Sequence, residues 1–297
     1  MPKSETARRD IHAEITSQLI AAIEANPGQF TLPWRKNAGA LHIPVNALTG
    51  KAYNGINIVS LWVAAEVLGY TTPIWGTYRQ WLERGAQVSK GEKSSLVVFY
   101  KEYESEPDPE DSDDTGKRRV ARASHVFNAS QVDGFELPAS PEPLGPVERI
   151  AAADRFVTLT GAKIEHGGDR AYYRPSTDHI QMPEEGLFVG TMTMTRDEGY
   201  HATLVHELIH WSGAEHRLNR EMGKRFGDQA YAAEELVAEI GAAFLCAELG
   251  ITQEVRPDHA QYLANWLKLL KDDSKTIFTA AARASEATRF LRGSGGS

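Results

Sequence analysis

His206-Glu207-Leu208-Ile209-His210 is the stretch that decides how this chain is read. On a helix, residues four apart lie one turn apart on one face, so the two imidazoles can each give a nitrogen to a single divalent ion. Glu207, between them, reaches toward the open coordination position, where it can take the proton of a metal-held water. The pattern therefore reads as a metal-dependent hydrolytic centre with His206 and His210 as ligands and Glu207 as the catalytic base. Gly199 to Val205 leads into the motif and Trp211-Ser212-Gly213 follows it, which predicts a helix that ends near Gly213.

Two histidines need a third protein ligand, with the fourth position left to water. The Ala-rich run from Asp228 to Gly250 reads as a helix and carries Glu234, Glu235 and Glu239 among apolar neighbours. Carboxylates in such surroundings need partners. Glu235 and Glu239 share a face, so Glu235 is assigned as third ligand and Glu239 as the acceptor that orients a ligating imidazole. Helical spacing alone does not separate the ligand from its supporter among the three glutamates. Nitrogen and carboxylate donors favour Zn2+, and Mn2+ is compatible with them.

Ahead of the metal helix, Ala162 to His166 and Ala171 to Arg174 flank Gly167-Gly168-Asp169 and read as a hairpin. Asp178 to Pro183 reads as a third strand, at the edge, where an extended peptide could pair. A plain small sheet covering the helix satisfies the same residues. His166, His179, His201 and His216 read as surface or hydrogen-bonded residues, and Tyr173, Tyr231 and His216 are candidates to stabilise an oxyanion.

At 297 residues and 41% hydrophobic, the chain can hold two domains with cores of their own. No run of eighteen apolar residues occurs and Met1-Pro2-Lys3-Ser4-Glu5 lacks the apolar stretch of a signal peptide, so a cytoplasmic protein without a membrane partner is expected. Cys246 is the only cysteine, which excludes intramolecular disulfides and reads as core.

Ser95 to Tyr103 and Val120 to Phe127 predict a long hairpin. Its tip is Glu102 to Gly116, with eight acidic residues and no basic one. Proline density from Leu137 to Pro146 marks a linker, giving a first domain over 1–135, a linker over 136–146 and a second domain over 147–297 that would fold separately. Ile11, Ile15, Leu19 and Ile23 predict a helix on the first domain's core, and helices are expected over Ile56–Leu68, Tyr78–Arg84, Asp258–Lys271 and Ser274–Leu291.

The net charge of -8 is unevenly spread. Residues 1–100 carry ten Lys and Arg against seven Asp and Glu, and residues 150–297 carry sixteen against twenty-one. Four of the six tryptophans, Trp34, Trp62, Trp75 and Trp81, fall in the basic part, with Trp34-Arg35-Lys36, Lys51 to Asn57 and Ser89 to Lys93 interleaving cations, amides and aromatics. Single-stranded nucleic acid is bound by such mixtures, although Trp62 and Trp81 lie in helical runs that need them as core.

Gly50-Lys51-Ala52-Tyr53-Asn54-Gly55-Ile56-Asn57, Trp75 to Trp81 and Gly85 to Lys93 resemble the N-terminal single-stranded DNA-binding domain of ArdC-type antirestriction proteins, related to domains of some plasmid primases. Asp178 to Pro183, His206 to Gly213 and Glu235 to Glu239 resemble the zincin-type metallopeptidase domain of the same family. The resemblance implies an α+β protein of two domains, a small α+β DNA-binding domain and a zincin-like domain built around the His-Glu-x-x-His helix. It further implies a plasmid protein that accompanies single-stranded DNA in conjugation and protects it from restriction. A protein of the host restriction system as peptidase substrate, or a zincin that keeps its metal without turnover, are the alternatives. The DNA contacts expected are Trp34, Arg35, Lys51, Tyr53, Asn54, Asn57, Trp75, Gln80, Lys90 and Lys93, with Tyr53 and Trp75 stacking on bases and Lys90 and Lys93 meeting phosphates.

Overall fold

A computed structural model describes residues 10–25, 42–105, 117–138, 145–192, 194–221, 229–251 and 259–293. The first half runs α1 (Ile11–Glu24), β1 (Val45–Asn46), α2 (Ile56–Leu68), β2 (Ile74–Gly76), α3 (Tyr78–Glu83), β3 (Gln87–Val88), β4 (Ser95–Glu104), β5 (Lys117–Asn128) and β6 (Val132–Asp133). The second runs α4 (Pro146–Thr160), β7 (Lys163–His166), β8 (Tyr172–Arg174), β9 (His179–Met182), α5 (Arg196–Ser212), α6 (Gln229–Leu249), α7 (His259–Asp272) and α8 (Thr276–Gly293). Helices and sheets occupy both halves, an α+β arrangement. No helix among the described residues is long and apolar enough to cross a membrane.

The first half is built on a four-stranded sheet of order β1-β2-β5-β4, with β3 and β6 paired beside it. The long hairpin read from the alternating sequence is present, β4 and β5 pairing from Ser95↔Val126 to Glu104↔Lys117. β4 is an edge strand whose outward backbone groups need partners. α2 supplies them: Asn57 Nδ2 donates to Val98 O at 2.8 Å, Val98 N donates to Asn57 Oδ1 at 2.7 Å, and Ser60 Oγ donates to Leu96 O at 3.0 Å. The helix is thus clipped to the sheet by its own polar side chains, and it starts at Gly55, whose φ of 55° suits a residue without Cβ. Most of the acidic run, from residue 106 to 116, lies outside the described residues.

The two halves do not fold around separate cores, as the Pro-rich stretch led one to expect. Apolar side chains of α1, α2 and β4 belong to the same buried cluster as those of α5, α6 and α8. Trp62 of α2 meets Phe244 of α6 edge to face at 5.6 Å, and His12 of α1 meets Phe278 of α8 at 4.5 Å. Thr16 Oγ1 donates to Ser274 O at 2.7 Å, and Gly55 N to Ser285 Oγ at 2.9 Å. A helix expected to sit on the first core alone instead bridges both halves, because its stripe of Ile15, Leu19 and Ile23 is covered from both sides.

The second sheet corrects two expectations. Its order is β7-β9-β8, with β7 parallel and β8 antiparallel to β9. Residues 162–166 and 171–174 therefore do not form a hairpin, and β9 is central while β7 and β8 are the two edges. Two turn signals competed here. The tight reversal forms at Pro175 to Asp178, where Asp178 takes the left-handed φ of 48°, and Gly167-Gly168 instead carries the chain away from β7.

Three helices set the metal-binding face. α5 begins in a capping box, with Thr195 N donating to Glu198 Oε2 at 2.9 Å and Glu198 N to Thr195 Oγ1 at 3.2 Å. Its other end is held by two arginines rather than by a left-handed glycine, since Gly213 has a φ of -81°. Arg217 Nε donates to Trp211 O and Arg220 Nη2 to Ile209 O, both at 2.6 Å, placing positive charge where the helix dipole is negative. α6 packs closely on α5 because Gly241 faces Ile209; a Cβ at Gly241 would stand 2.7 Å from Ile209 Cδ1. Buried Ala280, Ala281, Ala284 and Ala287 let α8 pack closely against both α5 and α6.

Candidate metal centre

Close packing of α5 on α6 brings the predicted ligands together. His206 Nε2 lies 3.5 Å from Glu235 Oε2, and His210 Nε2 lies 3.5 Å from Glu235 Oε1. The donor atoms of these three residues all fall within 4.8 Å of one another. A tetrahedral zinc ion with bonds of about 2.0–2.1 Å sets its ligand atoms about 3.3 Å apart, so the three fit one small divalent ion. Among the described residues this is the group of histidine, cysteine and carboxylate side chains that meets such a spacing.

Both imidazoles turn their other nitrogen to a carboxylate of α6. His206 Nδ1 faces Glu239 Oε2 at 3.7 Å, and His210 Nδ1 lies 3.3 Å from Glu234 Oε1. A carboxylate behind Nδ1 keeps the proton there and leaves the Nε2 lone pair for a metal. His206 Nδ1 is buried without a hydrogen bond, an atom aimed at Glu239 and ready to close on it. The helical pattern had placed Glu239 in this supporting position; that Glu234 does the same for His210 was missed, because the two lie on opposite sides of Glu235.

Glu234 is itself gripped by Arg220, which was not read from the sequence at all. Arg220 Nε donates to Glu234 Oε2 at 3.0 Å and Arg220 Nη2 to Glu234 Oε1 at 2.7 Å, while Nη1 donates to Ser212 Oγ at 3.0 Å. Both side chains are buried. A signal was present, an arginine just beyond the metal helix, but its partner is fourteen residues away.

Charge at the centre is strongly coupled. Burial alone would raise the Glu235 pKa, yet the adjoining His210 and His206 hold it far below the usual carboxylate range. Burial opposes a charged His210, and the carboxylates of Glu235 and Glu234 outweigh it and lift the imidazole well above its ordinary value. Glu234 is likewise lowered against burial by His210 and Arg220. A metal cation can replace the proton these groups share. Glu207 follows His206 on α5 and is buried at 4% exposure.

The spare histidines hold structure. His201 joins α5 to α4 through Asp154 Oδ1 at 2.9 Å, His166 meets Tyr200 Oη at 2.9 Å, and His179 meets Thr177 Oγ1 at 2.8 Å. Of the oxyanion candidates, Tyr173 donates to Asp178 Oδ1 at 2.8 Å and accepts from Arg217 Nη2 at 3.1 Å. Burial and the Asp178 bond push its pKa up to about 12. His216 lies 3.3 Å from Asp178 Oδ2, and Tyr231 is half-buried on α6.

The residues expected to touch DNA scatter. Trp34 and Arg35 lie outside the described residues. Trp75 is 1% exposed and Tyr53 8%, so neither offers a face to a base; Asn57 is buried and spent on the β4 edge. Their sequence neighbourhood misled because aromatic and amide side chains that build this small sheet look like a stacking platform. Gln80 caps α3, with Thr77 N donating to its Oε1 at 2.9 Å. Lys51, Asn54, Lys90 and Lys93 are exposed.

Comparison with known proteins places this geometry. Residues 9–131 match the N-terminal domain of anti-restriction factor ArdC, and residues 151–283 match a zincin-like metallopeptidase family. The crystal structure of the antirestriction ArdC protein from plasmid R388, metal-free, superposes with a TM-score of 0.77 at 38% identity, over 97% of this chain and 98% of that one. The chain belongs to the ArdC antirestriction family. The Mn(II)-bound structure of the R388 ArdC protein matches equally, with a TM-score of 0.77 at 38% identity over 97% and 99% of the two chains. Uncharacterized protein y4eC of Sinorhizobium fredii (strain NBRC 101917 / NGR234) is 47% identical over 95% of this chain and 91% of its own length. A DNA primase TraC of Escherichia coli is 36% identical over 96% of this chain, which spans only 27% of that primase. The ArdC family thus carries the zincin-like fold found here, with a donor set suited to a divalent metal.

Proposed function

We propose that this ArdC family member binds single-stranded DNA entering a cell by conjugation and shields it from restriction, and that it carries a metal-dependent peptidase-like centre whose turnover is not needed for that protection. The observation that carries the metal half of the reading is the convergence of His206, His210 and Glu235 in front of Glu239 and Glu234. Zinc suits the nitrogen and carboxylate donors, and manganese is the alternative, as the Mn(II)-bound R388 relative illustrates. The DNA half rests on family membership, on the excess of basic residues over 1–100 and on a relative named as a DNA primase. The protein would act in the cytoplasm of the bacterial cell.

When bound, the metal lowers the pKa of a water and polarises a carbonyl. Glu207 takes the proton from the attacking water and returns it to the leaving amine nitrogen. Glu234 accepts from His210 Nδ1 and so fixes that ring's tautomer and orientation, while Glu239 faces His206 Nδ1 at 3.7 Å and would do the same for that ring on closing. Extended peptide could pair with the free edge of β8.

A second reading, in which protection works by cleaving a component of the host restriction system, is favoured by one observation, the intact His206-Glu207-His210 set. Conjugation of a plasmid into restricting and non-restricting recipients separates the two. Glu207→Ala should retain most protection, provided its metal content and DNA affinity are normal. Loss of protection in that variant would establish the proteolytic reading.

A further inference from the structure

Phe99, Tyr100 and Tyr103 are exposed by 49%, 45% and 47%, so three of the four exposed aromatic rings among the described residues lie on the single strand β4. Alternation along a strand sorts them. Phe99 and Tyr103 share one face with Lys101 between them, and Tyr100 belongs to the other. Register places Arg122 of β5 opposite Phe99 and Val120 opposite Lys101. Lys101 and Arg122 are exposed and form no ion pair among the described residues. The buried part of this face ends at Val97, which is fully enclosed; beyond it Phe99, Lys101, Tyr103 and Arg122 are exposed, with Val120 half-buried opposite Lys101.

A ring left half exposed on a two-stranded ribbon keeps much of its apolar face in water, and a partner that covers it recovers that burial. The partner must be apolar and flat toward the rings and anionic toward Lys101 and Arg122. Unpaired bases on a phosphate backbone have that chemistry, whereas duplex DNA keeps its base faces stacked inside. We infer that the outer face of the β4–β5 ribbon, with Phe99 and Tyr103 as stacking rings and Lys101 and Arg122 as phosphate contacts, is where this protein holds single-stranded nucleic acid. The two rings are four residues apart on an extended strand, about 13 Å, so they meet two separate bases rather than sandwich one. Glu104 falls on the opposite face by the same alternation, which leaves the stacking face basic. The inference rests on the proposed single-strand binding and gives it a surface in place of the buried Tyr53 and Trp75.

The test uses the full chain and a fluorescently labelled single-stranded oligonucleotide, with the matching duplex as competitor. Phe99→Ala and Tyr103→Ala should each weaken single-strand binding about five- to hundredfold, and Tyr103→Trp should restore it. Lys101→Gln and Arg122→Gln should each reduce the slope of log affinity against log salt by about one. Phe99→Trp should show fluorescence quenching on binding. Melting temperature and metal content serve as folding controls and should not change, since these side chains are exposed. Wild type that binds single strands while both alanine variants bind as tightly overturns the ribbon as the site and leaves the proposed function standing. Wild type without single-strand affinity overturns both.

Discussion

Arg220 and Glu234 form a buried, two-pronged pair directly behind His210. The guanidinium also donates to the Ile209 carbonyl and the Ser212 hydroxyl near the end of α5, so one side chain fixes the end of the metal helix and the carboxylate that steers its second histidine.

Replacing Arg220 by Met should therefore do more than loosen a surface. A buried carboxylate left without its partner costs about 3–5 kcal/mol, and loss of an outer supporting group lowers metal affinity about 10–100-fold. Calorimetric melting with a metal titration checks both. Arg220→Lys should recover only part, because an ammonium cannot make the fork. Unchanged metal affinity in Arg220→Met would show that the pair serves stability alone.

Single substitutions should sort ligands from supporters. His206→Ala, His210→Ala and Glu235→Ala are expected to lose the ion outright in elemental analysis, whereas Glu239→Ala and Glu234→Ala keep it with about 10–100-fold lower affinity. Glu207→Ala should remain loaded. Full occupancy in Glu235→Ala would move the third ligand elsewhere.

Gly241→Ala probes the contact that sets the distance between α5 and α6. The added Cβ meets Ile209 Cδ1 at 2.7 Å and Cγ1 at 2.9 Å, and Ile209 is fully buried with a branched, stiff side chain. Overpacking should destabilise by about 1–3 kcal/mol in denaturant titration and weaken metal binding with it. Gly241→Ala with Ile209→Val should recover much of the loss.

Asp178 gives a pH dependence with a definite sign. The Arg217 hydrogen bond holds its pKa at about 2, below the ordinary 3.8. A carboxylate lowered on folding stabilises above its unfolded pKa, and that contribution fades as pH falls from about 4 toward 2. Asp178→Asn, which tolerates the left-handed backbone there, should flatten acid unfolding in this window. Its magnitude will be small, because the Asp178 side chain is 41% exposed and screened. An acid limb identical to wild type would assign the acid sensitivity to other carboxylates.

What could be read from the chain follows from distance along it. His206 and His210 are bound to each other by helical spacing, and β4 pairs with β5 by alternation, so both were legible. Glu235 required knowing how α6 lies on α5, which depends on Gly241 meeting Ile209. Arg220 and Glu234 carry no local pattern that links them. In the first half, the preference of aromatic residues for interfaces hid the difference between building a sheet and facing solvent. Trp75 and Tyr53 went to the first task, whereas Phe99 and Tyr103, in a strand with the same kind of residues, face solvent.

Trp62 resting on Phe244 bears on how such a protein can be inherited. A recombination joint at the Pro-rich stretch would cut the gene between two sequence motifs while splitting one hydrophobic core, leaving an apolar scar on each product. Transfer as a whole is the arrangement physical chemistry permits. The TraC match, which takes in 96% of this chain within a much longer primase, is a block of that kind.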